Sequence, residues 1–204
     1  MTKAAAGMSA RYPTFSLEEA HMIRSTLVIV VAMFLSSLAL AQNEEAYSAV
    51  ALGTGGSVGA RSLSFDFRIN QYASDDEVDA LAQLLKDKGQ DALRRELEKR
   101  DVGRINPVGT VGNQVAVARK HQTPSGTVII LVTARNMPFV ELYRNSRTTD
   151  YPFGFLQIKL DSKGEGSGQI MVAAKIRFNK KKGHYEIESY GNQYIKAVNV
   201  RPLK

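Results

Sequence analysis

Leu63-Ser64-Phe65-Asp66-Phe67-Arg68-Ile69-Asn70 carries an apolar side chain at every second position, with Leu63, Phe65, Phe67 and Ile69 on one side. A period of two over eight residues is the pattern of a half-buried strand, because successive side chains leave opposite faces of a pleated backbone. The alternation returns at Ile170–Phe178, where Ile170, Val172, Ala174, Ile176 and Phe178 share a side. Thr127–Thr133 (TVIILVT) is apolar without interruption, which predicts a strand buried on both faces and therefore central. Shorter strands are expected at 115–119, 138–143, 155–160, 184–189 and 194–200, and a short apolar stretch runs over 47–52. The stretch from Gly103 to Gly112, punctuated by Pro107 and Gly109, reads as loop.

Between the first strand and the later ones lies a helical signature. Ser74-Asp75-Asp76-Glu77 is a capping box, in which a hydroxyl accepts the third amide and the carboxylate reaches back to the cap. Val78, Leu81, Ala82 and Leu85 then recur at helical spacing up to Gly89. A second helix follows at 91–100, with Leu93 and Leu97 inward and Arg94–Glu98 and Glu96–Arg100 as i,i+4 pairs. The remaining connections are short and so join antiparallel neighbours, since parallel strands need a crossover of about a dozen residues. The fold class is therefore mainly β (α+β). It is an antiparallel meander of about seven to nine strands, curled into a barrel or sandwich, with a short helix pair inserted at 75–100.

Composition narrows the chemistry. The 204 residues include no cysteine, no tryptophan and three histidines, His21, His121 and His184. Disulfides, thiolate nucleophiles, iron–sulfur clusters and cysteine-based zinc sites are thereby excluded, and a multi-histidine centre nearly so. The apolar share of 44% and the charged share of 23% belong to an ordinary globular chain.

Residues 22–41 read MIRSTLVIVVAMFLSSLALA. Arg24 forms a short basic region, Thr26–Leu40 an apolar run, and Ala39-Leu40-Ala41 offers small residues at the two positions a signal peptidase reads. The run is shorter than the about 20 residues of a spanning helix. Residues 1–41 are thus a leader and secretory signal peptide, translation starting most simply at Met22, and 42–204 form a single β-rich domain, exported to the periplasm or outside the cell. Without Lys3, Arg11, Arg24, Glu18 and Glu19 the net charge falls from +7 to +6. In an exported protein that basic balance points away from nucleic acid and toward anionic envelope surfaces. After cleavage no membrane span is expected.

The densest candidate for ligand binding is the loop with Arg144, Arg147, Asp150 and Tyr151. Two guanidinium forks can grip a carboxylate or phosphate, and Asp150 can act as a base. The same residues can equally pin a loop. Asp161-x-x-Gly164-x-Gly166 offers too few carboxylates for calcium and reads as a hairpin turn. Lys180-Lys181-Lys182 reads as a solvated turn that blocks edge pairing. The glycines of 53–59 are followed by a strand and lack the Lys-Ser/Thr ending of a phosphate loop. Glu186 and Glu188 share a strand face, whereas a glycosidase pair faces itself across a substrate. No G-x-S-x-G elbow nominates a serine. No catalytic residue, metal or cofactor is expected.

Four segments, Gly89–Leu93, Asp150–Gly154, Ala174–Phe178 and Glu186–Gly191, in that order, resemble a family of exported bacterial proteins without a known activity. The resemblance covers about residues 60–201 and implies export, with no mechanism attached. The expected function is a non-enzymatic β-rich binding or envelope-associated domain, whose partner is a small molecule, a lipid or an anionic envelope component. The alternatives are a hydrolase built around the 144–151 loop with one histidine, and a structural envelope protein.

Overall fold

The computed structural model describes residues 44–53, 62–139, 149–192 and 194–203. Residues 1–41, read above as leader and signal peptide, the glycines of 55–59, Arg144 and Arg147 lie outside these described residues, as do 140–143.

Among the described residues ten antiparallel strands and two α-helices follow in chain order, with a 3₁₀ turn at Tyr190–Asn192. They are β1 (Glu45–Leu52), β2 (Ser62–Ile69), α1 (Asp75–Lys88), α2 (Gln90–Leu97), β3 (Gly103–Pro107), β4 (Asn113–Val115), β5 (Val117–Thr123), β6 (Gly126–Thr133), β7 (Phe153–Leu160), β8 (Gly166–Asn179), β9 (His184–Ser189) and β10 (Ile195–Pro202). In space the order is β4-β3-β2-β1-β10-β8-β7-β6-β5, with β9 hung on β8. The two ends of that order are halves of one bent strand. Val115 pairs with Gly103 of β3, Val117 pairs with Val132 of β6, and the Ala116 amide between them donates to the Val132 carbonyl. By changing partners at Ala116 the strand brings the sheet back onto itself, giving a nearly closed barrel with few exposed edges.

Alternation then sorts side chains to the two faces. Phe65, Phe67, Ile69, Ile105, Ile129, Leu131, Leu156, Ile158 and Ile170 all point inward and are fully or almost fully buried. Tyr47 stacks on Phe67 at 5.0 Å between ring centres, and Phe139 meets Phe65 edge-on at 5.0 Å. Phe139 and Met137 come from the segment after β6, which folds into the interior and is fastened by the Met137 amide to the Val172 carbonyl. At Gly154 of β7 a Cβ would overlap Met137 Cγ and Thr133 Oγ1, so the glycine makes room for this inserted segment.

The helix pair covers the outer face of β6–β8. Ser74 and Glu77 make both bonds of the capping box, 3.2 Å from the Glu77 amide to Ser74 Oγ and 2.9 Å from the Ser74 amide to Glu77 Oε2. Gly89, at φ 78°, ends α1 and opens α2 in a backbone region that favours glycine. Leu81, Leu85, Leu93 and Leu97 pack with Val132, Phe153, Phe155 and Ala174 into a second core outside the barrel. Each such leucine contributes about 1.5–3 kcal/mol of burial. Arg119 of β5 donates to the Ala73 carbonyl at 2.7 Å and pairs with Asp75, fastening the entry to α1 onto the barrel wall.

Three details differ from the sequence reading. Residues 103–107 are strand β3, because Pro107 sits at the end of its ladder opposite Phe65 and Gly103 approaches Arg68 too closely to tolerate a Cβ. Ile170 and Val172 face the interior whereas Ala174 and Ile176 face the helices: opposite β7, one extra residue of β8 bulges between Met171 and Ala174 and reverses the alternation. Pro138 and Phe139 belong to no strand.

Candidate functional site

Tyr151 is half-buried against the root of the β8–β9 hairpin, which extends beyond the barrel wall. Its hydroxyl donates to Glu188 Oε1 at 2.5 Å, and its ring meets Tyr190 edge-on at 5.1 Å under the Lys175 ammonium. The hydrogen bond to Glu188, helped by the loss of solvent and the carboxylate charge, raises the phenol above its usual range. Asp150 is exposed, and its carbonyl accepts from Gln90 Nε2 at 3.1 Å. The Oε1 of the same glutamine accepts from the Ile176 amide at 3.2 Å, so Gln90 ties this loop to β8. Asn136 adds a third tie, donating to the Tyr151 carbonyl at 2.6 Å. Asp150 and Tyr151 therefore sit in a pinned loop end.

The two carboxylates on β9 both face Arg177 of β8, which lies 3.9 Å from Glu188 Oε2. Arg177 Nε lies 3.0 Å from Glu186 Oε2, and His184 Nε2 lies 3.3 Å from Glu186 Oε1. Asn179 also donates to Glu186 at 2.8 Å, and this bond together with Arg177 holds the carboxyl low. His121 pairs opposite Val128, five residues along β6 from the Thr133–Gly154 pair that adjoins Tyr151. That is about 17 Å of strand, so the register separates His121 from the loop. The Asp161 turn is a hairpin: Asp161 Oδ1 accepts from the Lys163 and Glu165 amides, and these backbone bonds lower its pKa. Among the described residues no group of three or more potential metal ligands comes together.

The residues that do converge were not singled out by any motif. Along the seam where the C-terminal turn of α2 meets β4 and the segment after β6, two depressions of about 160 and 360 Å³ adjoin and share Glu98, Asn113, Ala134 and Arg135. Arg100 and Arg104 line the first, Arg94 the second, and Thr149 and Pro152 bring the described end of the 149–152 loop to its rim. Arg94 pairs with Glu98 at 2.9 Å and Arg100 with Glu77 at 3.4 Å. Arg104 donates one bond, at 3.2 Å, to the Val111 carbonyl. Arg135 is exposed, and its guanidinium has no ion pair among the described residues. The nearby helix end is closed by backbone, the Arg94, Glu96 and Leu97 carbonyls accepting from Glu98, Lys99 and Arg100. Arg94, Arg100 and Arg104 follow one another on α2, the turn after it and β3, and the fold brings Arg135, from the segment after β6, to the same seam.

No family model, curated protein or solved structure matches this chain.

Proposed function

We propose that the chain is an exported, non-enzymatic β-rich module that binds a small molecule or envelope component on the outer wall of its barrel. One observation carries this reading: the concave ground between α2 and the segment after β6 is lined by hydrogen-bond donors, while Phe67, Ile129, Leu131 and Ile158 fill the middle of the barrel. The packed middle of the barrel counts against a closed ligand chamber there; a depression of about 550 Å³ bordered by Ala49, Phe65 and Val200 is lined by fewer basic side chains, with Arg201 against Asp66 and Glu165. Export is supported by the basic–apolar–small layout of 22–41, and the resemblance to exported bacterial proteins agrees with it. Binding is favoured over hydrolysis because Tyr151, Glu186 and Glu188 are spent on hydrogen bonds and ion pairs within the hairpin. Among the described residues no helix is long and apolar enough to cross a membrane.

The test is native mass spectrometry of protein recovered from the exported fraction of a Gram-negative host, after exposure to an envelope extract. The expected product begins at Gln42 and carries a non-covalent adduct. An intact chain confined to the cytosol, or an exported chain that retains no adduct, would overturn the proposal.

A further inference from the structure

Beyond the general reading as a binding module, on which this rests, the chemistry of the cleft specifies its ligand. Its lining holds four arginines, of which Arg94 is paired with Glu98 and Arg100 with Glu77, while Arg104 and Arg135 have no ion pair among the described residues. Arg104 and Arg135 leave positive charge at the seam that no side chain among the described residues pairs, and concave walls concentrate its potential. A guanidinium has five N–H donors in a planar fork. Arg104 spends one on Val111, and Arg135 spends none on another side chain among the described residues, so donors remain for a guest.

We infer that this cleft binds the phosphate group of an anionic ester. A carboxylate is satisfied by one arginine fork, whereas a phosphate carries up to two charges and three oxygens and draws on several. The about 160 Å³ lobe, walled by Arg100, Arg104, Gln114 and the Gly112 backbone, holds a headgroup and no acyl chain. The wider about 360 Å³ lobe, reaching Asn136 and Thr149, offers amide and hydroxyl partners for the rest of the ester. The phosphate can belong to a lipid headgroup at the envelope surface or to a soluble ester.

Titration calorimetry with inorganic phosphate, and co-sedimentation with phosphatidylglycerol–phosphatidylcholine vesicles against phosphatidylcholine alone, separate these sources. Arg135→Ala is expected to weaken binding to at least one probe tenfold or more; its side chain is exposed and makes no hydrogen bond or ion pair among the described residues. Arg104→Lys, which keeps charge and loses the fork, is expected to weaken it several-fold. Lys180→Ala/Lys181→Ala/Lys182→Ala, which removes three charges at the β8–β9 turn, is expected to leave it within twofold. Phosphate binding that depends on Arg135 supports a soluble ester; vesicle binding alone, with the same dependence, supports a lipid headgroup. No binding of either probe, or an equal loss in the lysine variant, overturns the inference. An envelope adduct that survives Arg135→Ala would remove this site and leave the binding module standing, while absence of any adduct removes both.

Discussion

Lys120 Nζ lies 2.7 Å from Glu45 Oε1 at inward-facing positions near one end of the barrel. Tyr72 and Tyr47 donate to the other Glu45 oxygen at 2.7 and 2.9 Å, and Lys120 also stands 5.3 Å from the centre of the Tyr72 ring. Among filled apolar positions, this polar group is self-satisfied.

Its titration shapes the pH dependence of stability. Burial works to raise the Glu45 carboxyl, but the bonds from Lys120, Tyr72 and Tyr47 outweigh it and hold the group below 4.5. Burial and the Glu45 carboxylate push both phenols above 10.0. A carboxyl depressed on folding stabilises above its unfolded pKa, and that contribution fades as pH falls below about 4.5. A phenol raised on folding stabilises below its unfolded pKa, and that contribution fades as pH rises past about 10. Thermal melts from pH 3 to 11 should therefore decline on both limbs, and Glu45→Gln should flatten both.

Gly154→Ala should cost about 1–3 kcal/mol through overpacking, because the new methyl meets Met137 and Thr133. Urea denaturation measures it. Met137→Ala, which removes a fully buried side chain and is itself destabilising, should combine with Gly154→Ala less than additively, which identifies the inserted segment as the source.

Leu97→Ala should cost about 2–5 kcal/mol, since Leu97 is buried between the helix pair and the β-sheet. Leu97 also floors the arginine-lined cleft, so the variant should lose phosphate affinity at temperatures where it is still folded. Leu81→Ala, on the same helix pair and away from the cleft lining, should lose stability alone.

Asn199 sits at φ 52° in a bulge of β10, where register shifts against both β1 and β8. Asparagine tolerates this left-handed region and β-branched residues do not. Asn199→Gly should leave the melting temperature within a degree or two, and Asn199→Val should destabilise by about 1–2 kcal/mol.

Strands whose alternation is local were legible in the residues: 63–70 falls on β2, 184–189 on β9, and TVIILVT on β6, with Ile129 and Leu131 in one core and Ile130 and Val132 against the other. The capping box at Ser74 placed α1, because both its bonds lie within four residues. Features that depend on distant partners were hidden. The bulge in β8 exists only relative to β7, and the burial of Met137 and Phe139 only relative to the barrel they enter. The cleft is of the same kind: Arg94, Arg100 and Arg104 are near in sequence but sit on different elements, and Arg135 joins them only through the fold, whereas Arg144, Arg147, Asp150 and Tyr151 crowd within one loop of the sequence. Of these, Asp150 and Tyr151 are anchored beside the cleft by Gln90 and Asn136.

The most direct measurement is an amide-proton NMR titration of the uniformly labelled protein with inorganic phosphate and with a soluble phosphate ester. If the ligand is met on the outer wall, the shifts concentrate at 112–114 and 134–136, while Phe67, Ile129, Leu131 and Ile158 stay in place. Perturbation centred on those interior residues, with 134–136 unmoved, would contradict the account.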